Sequence, residues 1–100
     1  MIPDKDRAWL EEVASYACCV CNERDGVQAH HLRECGAGCM SKKPPDVFCV
    51  PLCVKHHALI HRARLTSAEL VEVYRCALVL IARYFKRTHS VEAVLGEEGF

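Results

Sequence analysis

No uncharged apolar run in this sequence is long enough to span a bilayer, which takes about 20 residues. The nearest, "RCALVLIARYF", is interrupted by Arg75 and Arg83 and reads as helix of a water-soluble domain, so no membrane partner is expected. The opening "MIPDKDRAWLEE" lacks a basic flank followed by an apolar stretch, so no signal peptide is predicted and a reducing, cytoplasmic setting, bacterial or that of a phage-infected host cell, is expected. There is no internal repeat and no low-complexity segment. Neither sign of charge is in excess, with 13 Lys and Arg against 13 Asp and Glu, which argues against an indiscriminate polyanion binder. Aromatic residues make up 7% and form no stacking platform, and no recognition helix stands out, so sequence-specific reading of bases is not expected.

Against those absences stand eight cysteines and six histidines in 100 residues. A chain this short forms one small domain with little surplus core, and a reducing compartment favours metal ligation over disulfides as the staple. Asp4 or Asp6 caps a helix running to about residue 16, with Trp9, Leu10 and Val13 on its buried side. "ACCVCNERDGV" breaks that pattern with a C-x2-C and a turn at Asp25-Gly26, a knuckle that aims Cys18 and Cys21 at one point. "VQAHHLRE" reads as a strand, "CGAGCMSKKPPD" as an ordered loop, and "DVFCVPLC" as a second strand with Pro51 at its end or on an edge. The helix "VKHHALIHRARL" follows, and Thr66 with Glu69 forms a capping box opening a long helix over about 67–87. Leu70, Val73, Tyr74, Ala77, Leu78, Ile81 and Phe85 form its expected apolar stripe, widened by Val71, Val79 and Leu80; such a helix packs between layers, against the N-terminal helix, or in a homodimer contact. A loosely packed tail is expected over 90–100.

The segment "LCVKHHALIH" carries two separable sets of metal-binding side chains. Cys53 and His56 have the two-residue spacing that completes Cys18 and Cys21 into a Cys3His set, a closed tetrahedral site of the structural zinc type. Cys35 and Cys39 have no second pair, and Cys49 and Cys76 read as packed thiols. His57 and His61 lie four apart on one helical face and can share an ion. His30 and His31, adjacent on a strand, point to opposite sides, so one is expected to ligate and the other to act.

The run Cys18 to His61, with its "AHHL", its Gly-rich loop leading to "KKPPD" and its "VPLC-x2-HH-x3-H", resembles the HNH endonuclease family. Within that family it is most similar to the phage-encoded group of RecA-dependent recombination nucleases. The resemblance implies an α+β fold: a zinc-stabilised ββα-metal core over 18–64, flanked by an N-terminal helix and a long C-terminal helix in a single domain of 1–100. It also implies metal-dependent hydrolysis of DNA phosphodiester bonds, with His31 as general base and His30, His57 and His61 holding one catalytic divalent metal. A recombinase filament is a partner implied by the resemblance alone. The chemistry is compatible, because an unperturbed imidazole with a pKa of about 6.5 can deprotonate water near neutral pH and an ion with open positions can stabilise the developing charge. The family's middle asparagine is missing between His31 and His57. Asp46 is the nearest polar substitute, and it can orient His31, ligate metal or cap the turn.

Three imidazoles suit Zn, Ni, Co or Mn better than Mg, although phosphate and water oxygens keep Mg admissible. Lys42, Lys43, Lys55, Arg62 and Arg64 cluster in the middle of an otherwise acidic-ended chain and are the candidate DNA phosphate contacts. The alternative is a non-catalytic, zinc-stabilised nucleic-acid-binding or protein-interaction module, monomeric or homodimeric.

Overall fold

The computed structural model describes residues 3–32 and 44–88 in the order α1 (Arg7–Ala14), β1 (Gln28–His31), β2 (Cys49–Leu52), α2 (Val54–His61) and α3 (Ser67–Thr88). This is a small α+β arrangement of three helices and one two-stranded antiparallel sheet. Among the described residues no helix is long and apolar enough to cross a membrane. The tail over 90–100 and the loop bearing Cys35, Cys39, Lys42 and Lys43 lie outside them.

Helix α1 starts at Asp6, whose Oδ1 accepts from the Trp9 N–H at 3.1 Å and satisfies one of the amides left open at a helix start. It is shorter than the 4–16 expected: Asp4 lies before the cap, and past Ala14 the Ser15 and Tyr16 N–H groups donate three residues back, to the Glu12 and Val13 carbonyls at 3.0 and 3.1 Å. The Asp4 carbonyl accepts from the Asp46 N–H at 3.1 Å, and the Asp6 N–H donates to Asp46 Oδ2 at 2.8 Å. The N-terminal segment is thereby strapped across Asp46, which is only 3% exposed.

The strands are also shorter than their apolar runs. Pro45 to Phe48 make a turn closed by the Phe48 N–H on the Pro45 carbonyl at 3.0 Å, and pairing starts only at Cys49. Register sets Gln28 opposite Leu52, Ala29 opposite Pro51, His30 opposite Val50 and His31 opposite Cys49. Both strands of a two-stranded sheet are edges, so Pro51 fits without costing an inner ladder bond, and its carbonyl accepts from the Cys19 N–H at 3.0 Å. Side chains alternate along β1, which puts Gln28 and His30 on one face and Ala29 and His31 on the other.

Helix α2 ends at His61, not near Leu65. Arg64 N–H reaches back to the Leu59 carbonyl at 2.9 Å and Ala63 N–H to the Ile60 carbonyl at 3.1 Å, the paired bonds of a Schellman stop. That geometry puts Ala63 at φ 54°, a left-handed conformation that suits glycine and strains alanine.

Helix α3 buries Val73, Ala77, Leu80 and Tyr84. Val73 and Ala77 pack with Leu32, Val50, Leu52 and Ile60, whereas Leu80 and Tyr84 pack with Trp9, Val13, Val47 and Cys49. Leu78, placed in the stripe by its apolarity, is 70% exposed. The helix is rolled so that the Tyr84 ring meets Trp9 edge-on at 5.1 Å and its hydroxyl donates to Asp6 Oδ2 at 2.9 Å. Most of the expected stripe faces inward, and the difference is that Leu80 and Tyr84 are buried where Leu78 is not. Burial and then this bond to Asp6 push the Tyr84 phenol above its ordinary pKa. Glu12 with Arg87, and the Arg83 guanidinium over the Tyr16 ring, complete the contact between α1 and α3.

Replacing Ala63 by glycine relieves the left-handed strain without removing a packed side chain. Ala63→Gly is expected to raise stability by about 1 kcal/mol in chemical denaturation at fixed metal concentration.

Candidate metal centres

The first cluster is built at the junction of three local structures. In the knuckle, the Asn22 N–H donates to the Cys18 carbonyl at 2.8 Å and the Cys18 N–H to the Glu23 carbonyl at 2.8 Å, with Asn22 at φ 67°. Asparagine tolerates that left-handed turn, which points Cys18 and Cys21 inward. Cys53 stands at the N-cap of α2 and His56 in its first turn. The Cys21 and Cys53 sulfurs are 3.7 Å apart, and His56 Nδ1 lies 3.2 Å from Cys53 Sγ and 3.8 Å from Cys18 Sγ. A tetrahedral zinc with Zn–S of about 2.3 Å requires sulfurs about 3.8 Å apart, so the spacing and the donor set both fit zinc. All four ligand atoms fall within 4.8 Å of one another.

The sulfurs conflict with one another when no cation balances them. At Cys18 burial opposes ionisation, but the backbone N–H groups of Cys21 and Cys53 outweigh it and hold the thiol below its usual value. At Cys21 the Glu23 N–H favours the thiolate, yet desolvation and the neighbouring sulfurs of Cys53 and Cys18 push the thiol up. A divalent ion removes that repulsion, which is why such a cluster couples folding to metal. Cys19 turns away, as expected of a residue between two ligands, and its hydrogen bond to Cys76 keeps its thiol protonated. Burial, then the Asp46 charge, push Cys49 up to about 12, the behaviour of a packed thiol.

Glu69 ties this cluster to α3. Its Oε1 accepts from the Thr66 N–H at 2.8 Å while Thr66 Oγ1 accepts from the Glu69 N–H at 3.1 Å, completing the capping box. Its other oxygen, Oε2, lies 3.5 Å from His56 Nε2, on the far side of the ring from the sulfurs. A carboxylate there holds the imidazole with Nδ1 free to ligate. The T-x-x-E spacing revealed the cap, but nothing in the sequence linked Glu69 to His56.

The second cluster gathers His30 from β1 with His57 and His61 from α2, their ligand atoms again within 4.8 Å of one another. His30 is buried, and its ring centre lies 5.0 Å from those of both His57 and His61, edge-on to each. His57 Nε2 and His61 Nε2 are 3.1 Å apart. Metal–nitrogen bonds of about 2.0–2.1 Å place neighbouring ligand nitrogens about 3.0–3.4 Å apart, so the spacing of His57 and His61 fits one ion that His30 could also reach.

His31 faces the opposite side of β1, where its Nε2 lies 2.8 Å from Asp46 Oδ1. Its side chain is 17% exposed against 4% for that of Asp46, so the imidazole stays reachable while its partner is enclosed. Of the three roles open to Asp46, the geometry shows the contact with His31; Asp46 belongs to neither four-ligand nor three-ligand cluster. Lys55, Arg62 and Arg64 are exposed on and just after α2, and Lys42 and Lys43 lie outside the described residues. Sequence reading missed Gln28, whose Oε1 is 2.6 Å from His57 Nδ1, and the Asp6 N–H that holds Asp46. The signal for Gln28 was its two-residue spacing from His30 on a strand.

These features define a small α+β domain with a Cys3His cluster compatible with structural zinc. The chain belongs to the family described as Protein of unknown function (DUF968), which matches residues 4–91. It is 32% identical over 92 residues to the Escherichia coli (strain K12) protein described as Uncharacterized protein YdfU, an alignment covering 87% of this chain and 25% of that protein. The chain thus spans about a quarter of that relative's length. No solved structure matches it.

Two substitutions separate the roles of Glu69. Thr66→Ala removes a cap and is expected to cost about 1 kcal/mol with zinc retention unchanged. Glu69→Ala removes the cap and frees the His56 ring, and is expected to weaken zinc binding by about 10-fold or more in competition with a chromogenic chelator.

Proposed function

We propose that this chain is a metal-dependent endonuclease of the HNH, ββα-metal kind that hydrolyses DNA phosphodiester bonds. The observation that carries the reading is the division of labour along β1. His30 stands with two more imidazoles on one face, and the next residue, His31, is oriented by a buried carboxylate on the other. A structural zinc at Cys18, Cys21, Cys53 and His56 holds this frame.

His31 is the general base. Its Nε2–H donates to Asp46 Oδ1, which leaves the Nδ1 lone pair to take a proton from the attacking water. Asp46 fixes the tautomer and stabilises the imidazolium that results, much as a buried aspartate orients a catalytic histidine elsewhere. It thereby fills the place of the family's asparagine. A divalent ion held by His30, His57 and His61 supplies, when bound, charge stabilisation for the phosphate and leaving oxygen. Lys55, Arg62 and Arg64, with Lys42 and Lys43, bind backbone phosphates and position the strand without reading bases.

The test is plasmid nicking by chelator-stripped protein resupplied with zinc and then with Mg, Mn, Ni or Zn, with and without a recombinase filament. Expected is metal-dependent nicking that falls about 10²–10⁴-fold in His31→Ala while DNA binding persists. Absence of cleavage by folded, loaded protein under every condition, or cleavage indifferent to His31→Ala, replaces this reading with that of a binding module. Asp46→Asn keeps the shape but can hold His31 in the wrong tautomer; it is expected to lower kcat by at least about 10²-fold with little change in KM.

A further inference from the structure

Gln28 is a solvent-exposed residue at the first position of a short edge strand, where packing makes little demand on its identity. It shares a strand face with His30, two residues on, and that face looks onto α2. Its amide oxygen meets His57 Nδ1 at 2.6 Å, across 29 residues of sequence.

We propose that Gln28 is the positioning residue of the three-histidine cluster, fixing His57 in the tautomer that presents Nε2 to a divalent transition ion. The inference rests on reading His30, His57 and His61 as ion ligands, and not on DNA cleavage. An amide oxygen can only accept, so a bond to Nδ1 places the ring hydrogen on that nitrogen and the lone pair on Nε2. His57 Nε2 is the atom that faces His61 Nε2 at 3.1 Å, where an ion would sit. A neutral imidazole without such a partner divides itself between two tautomers and rotates about its side-chain torsions. Only one tautomer and a narrow range of ring angles suit the ion, so Gln28 removes that loss before binding. An uncharged acceptor also leaves His57 a neutral donor of the type that selects zinc, nickel, cobalt or manganese over a harder ion.

The experiment uses protein carrying one equivalent of zinc at the cysteine cluster, with Ni2+ as the probe of the histidine cluster. Long-range 1H–15N correlation spectra of the histidine rings before Ni2+ is added are expected to show the His57 hydrogen on Nδ1. Calorimetric titration is expected to show Ni2+ binding weakened about 10–100-fold in Gln28→Ala and restored in Gln28→Glu, whose carboxylate also accepts. The zinc equivalent retained by each variant reports that the fold persists. A wild-type His57 with its hydrogen on Nε2, or Ni2+ affinity unchanged in Gln28→Ala, overturns the proposal. DNA cleavage is scored separately: Gln28-dependent ion binding without cleavage keeps this inference and removes the nuclease reading, while cleavage with Gln28-independent binding does the reverse.

Discussion

The structure depends on closing the Cys3His cluster. Two of its ligands come from a loop after α1 and two from the start of α2, so closure brings together chain segments more than 30 residues apart. A two-stranded sheet is not independently stable in water, and an eight-residue helix is too short to stand alone. A metal closing the cluster would supply what these elements lack. Once Cys53 and His56 are fixed, the first turn of α2 is fixed, and His57 and His61 follow at positions dictated by helical geometry. The same constraint reaches α3 through Glu69, which packs its first turn beside His56 and thereby sets Val73 and Ala77 over the sheet.

The other end of the molecule is organised by a carboxylate relay. Asp46 shares its two oxygens between His31 and the Asp6 backbone, and Asp6 shares its own between the start of α1 and the Tyr84 hydroxyl. Both carboxylate oxygens of Asp46 and of Asp6 thus have a named donor, which is the condition for enclosing charge without a large penalty. The consequence is that the imidazole of His31, though on a four-residue strand, is held from behind by contacts traceable to both flanking helices. Those helices fall outside the segment that resembles the HNH core, yet they complete the surroundings of its proposed base.

What could be read from the sequence was whatever is local or periodic. The C-x2-C and C-x2-H pairs, the capping box of Thr66 and Glu69, and the alternation that separates His30 from His31 are all set within a few residues. The failures were of two kinds. Element ends were overextended where a turn bond or a Schellman stop cut an apolar run short, as at Phe48 and Ala63. Long-range polar ties were invisible, because nothing near Asp6 announces a partner 40 residues away and nothing near Tyr84 one 78 residues away. The place of Tyr84 on the inner face of α3 belongs to the second kind, because its partners Trp9 and Asp6 lie far away in sequence.

The two histidine-bearing clusters share one helix, and consecutive residues divide them. His56 and His57 differ by about 100° around the axis of α2, enough to aim one ring toward α3 and the other toward β1. Each ring has its far nitrogen occupied from outside the helix, His56 Nε2 by the carboxylate of Glu69 and His57 Nδ1 by the amide of Gln28. The difference in acceptor matches the difference in setting. A carboxylate makes its imidazole a more basic ligand, as suits a closed set with three sulfurs compatible with structural zinc. A neutral amide orients without adding charge, and it acts beside His61, which is exposed, so that an ion held there as proposed would have positions open to water. Strand partner, helix partner and the 100° step between adjacent residues are thus sufficient to separate a cysteine-rich cluster from an all-histidine one on a single helix.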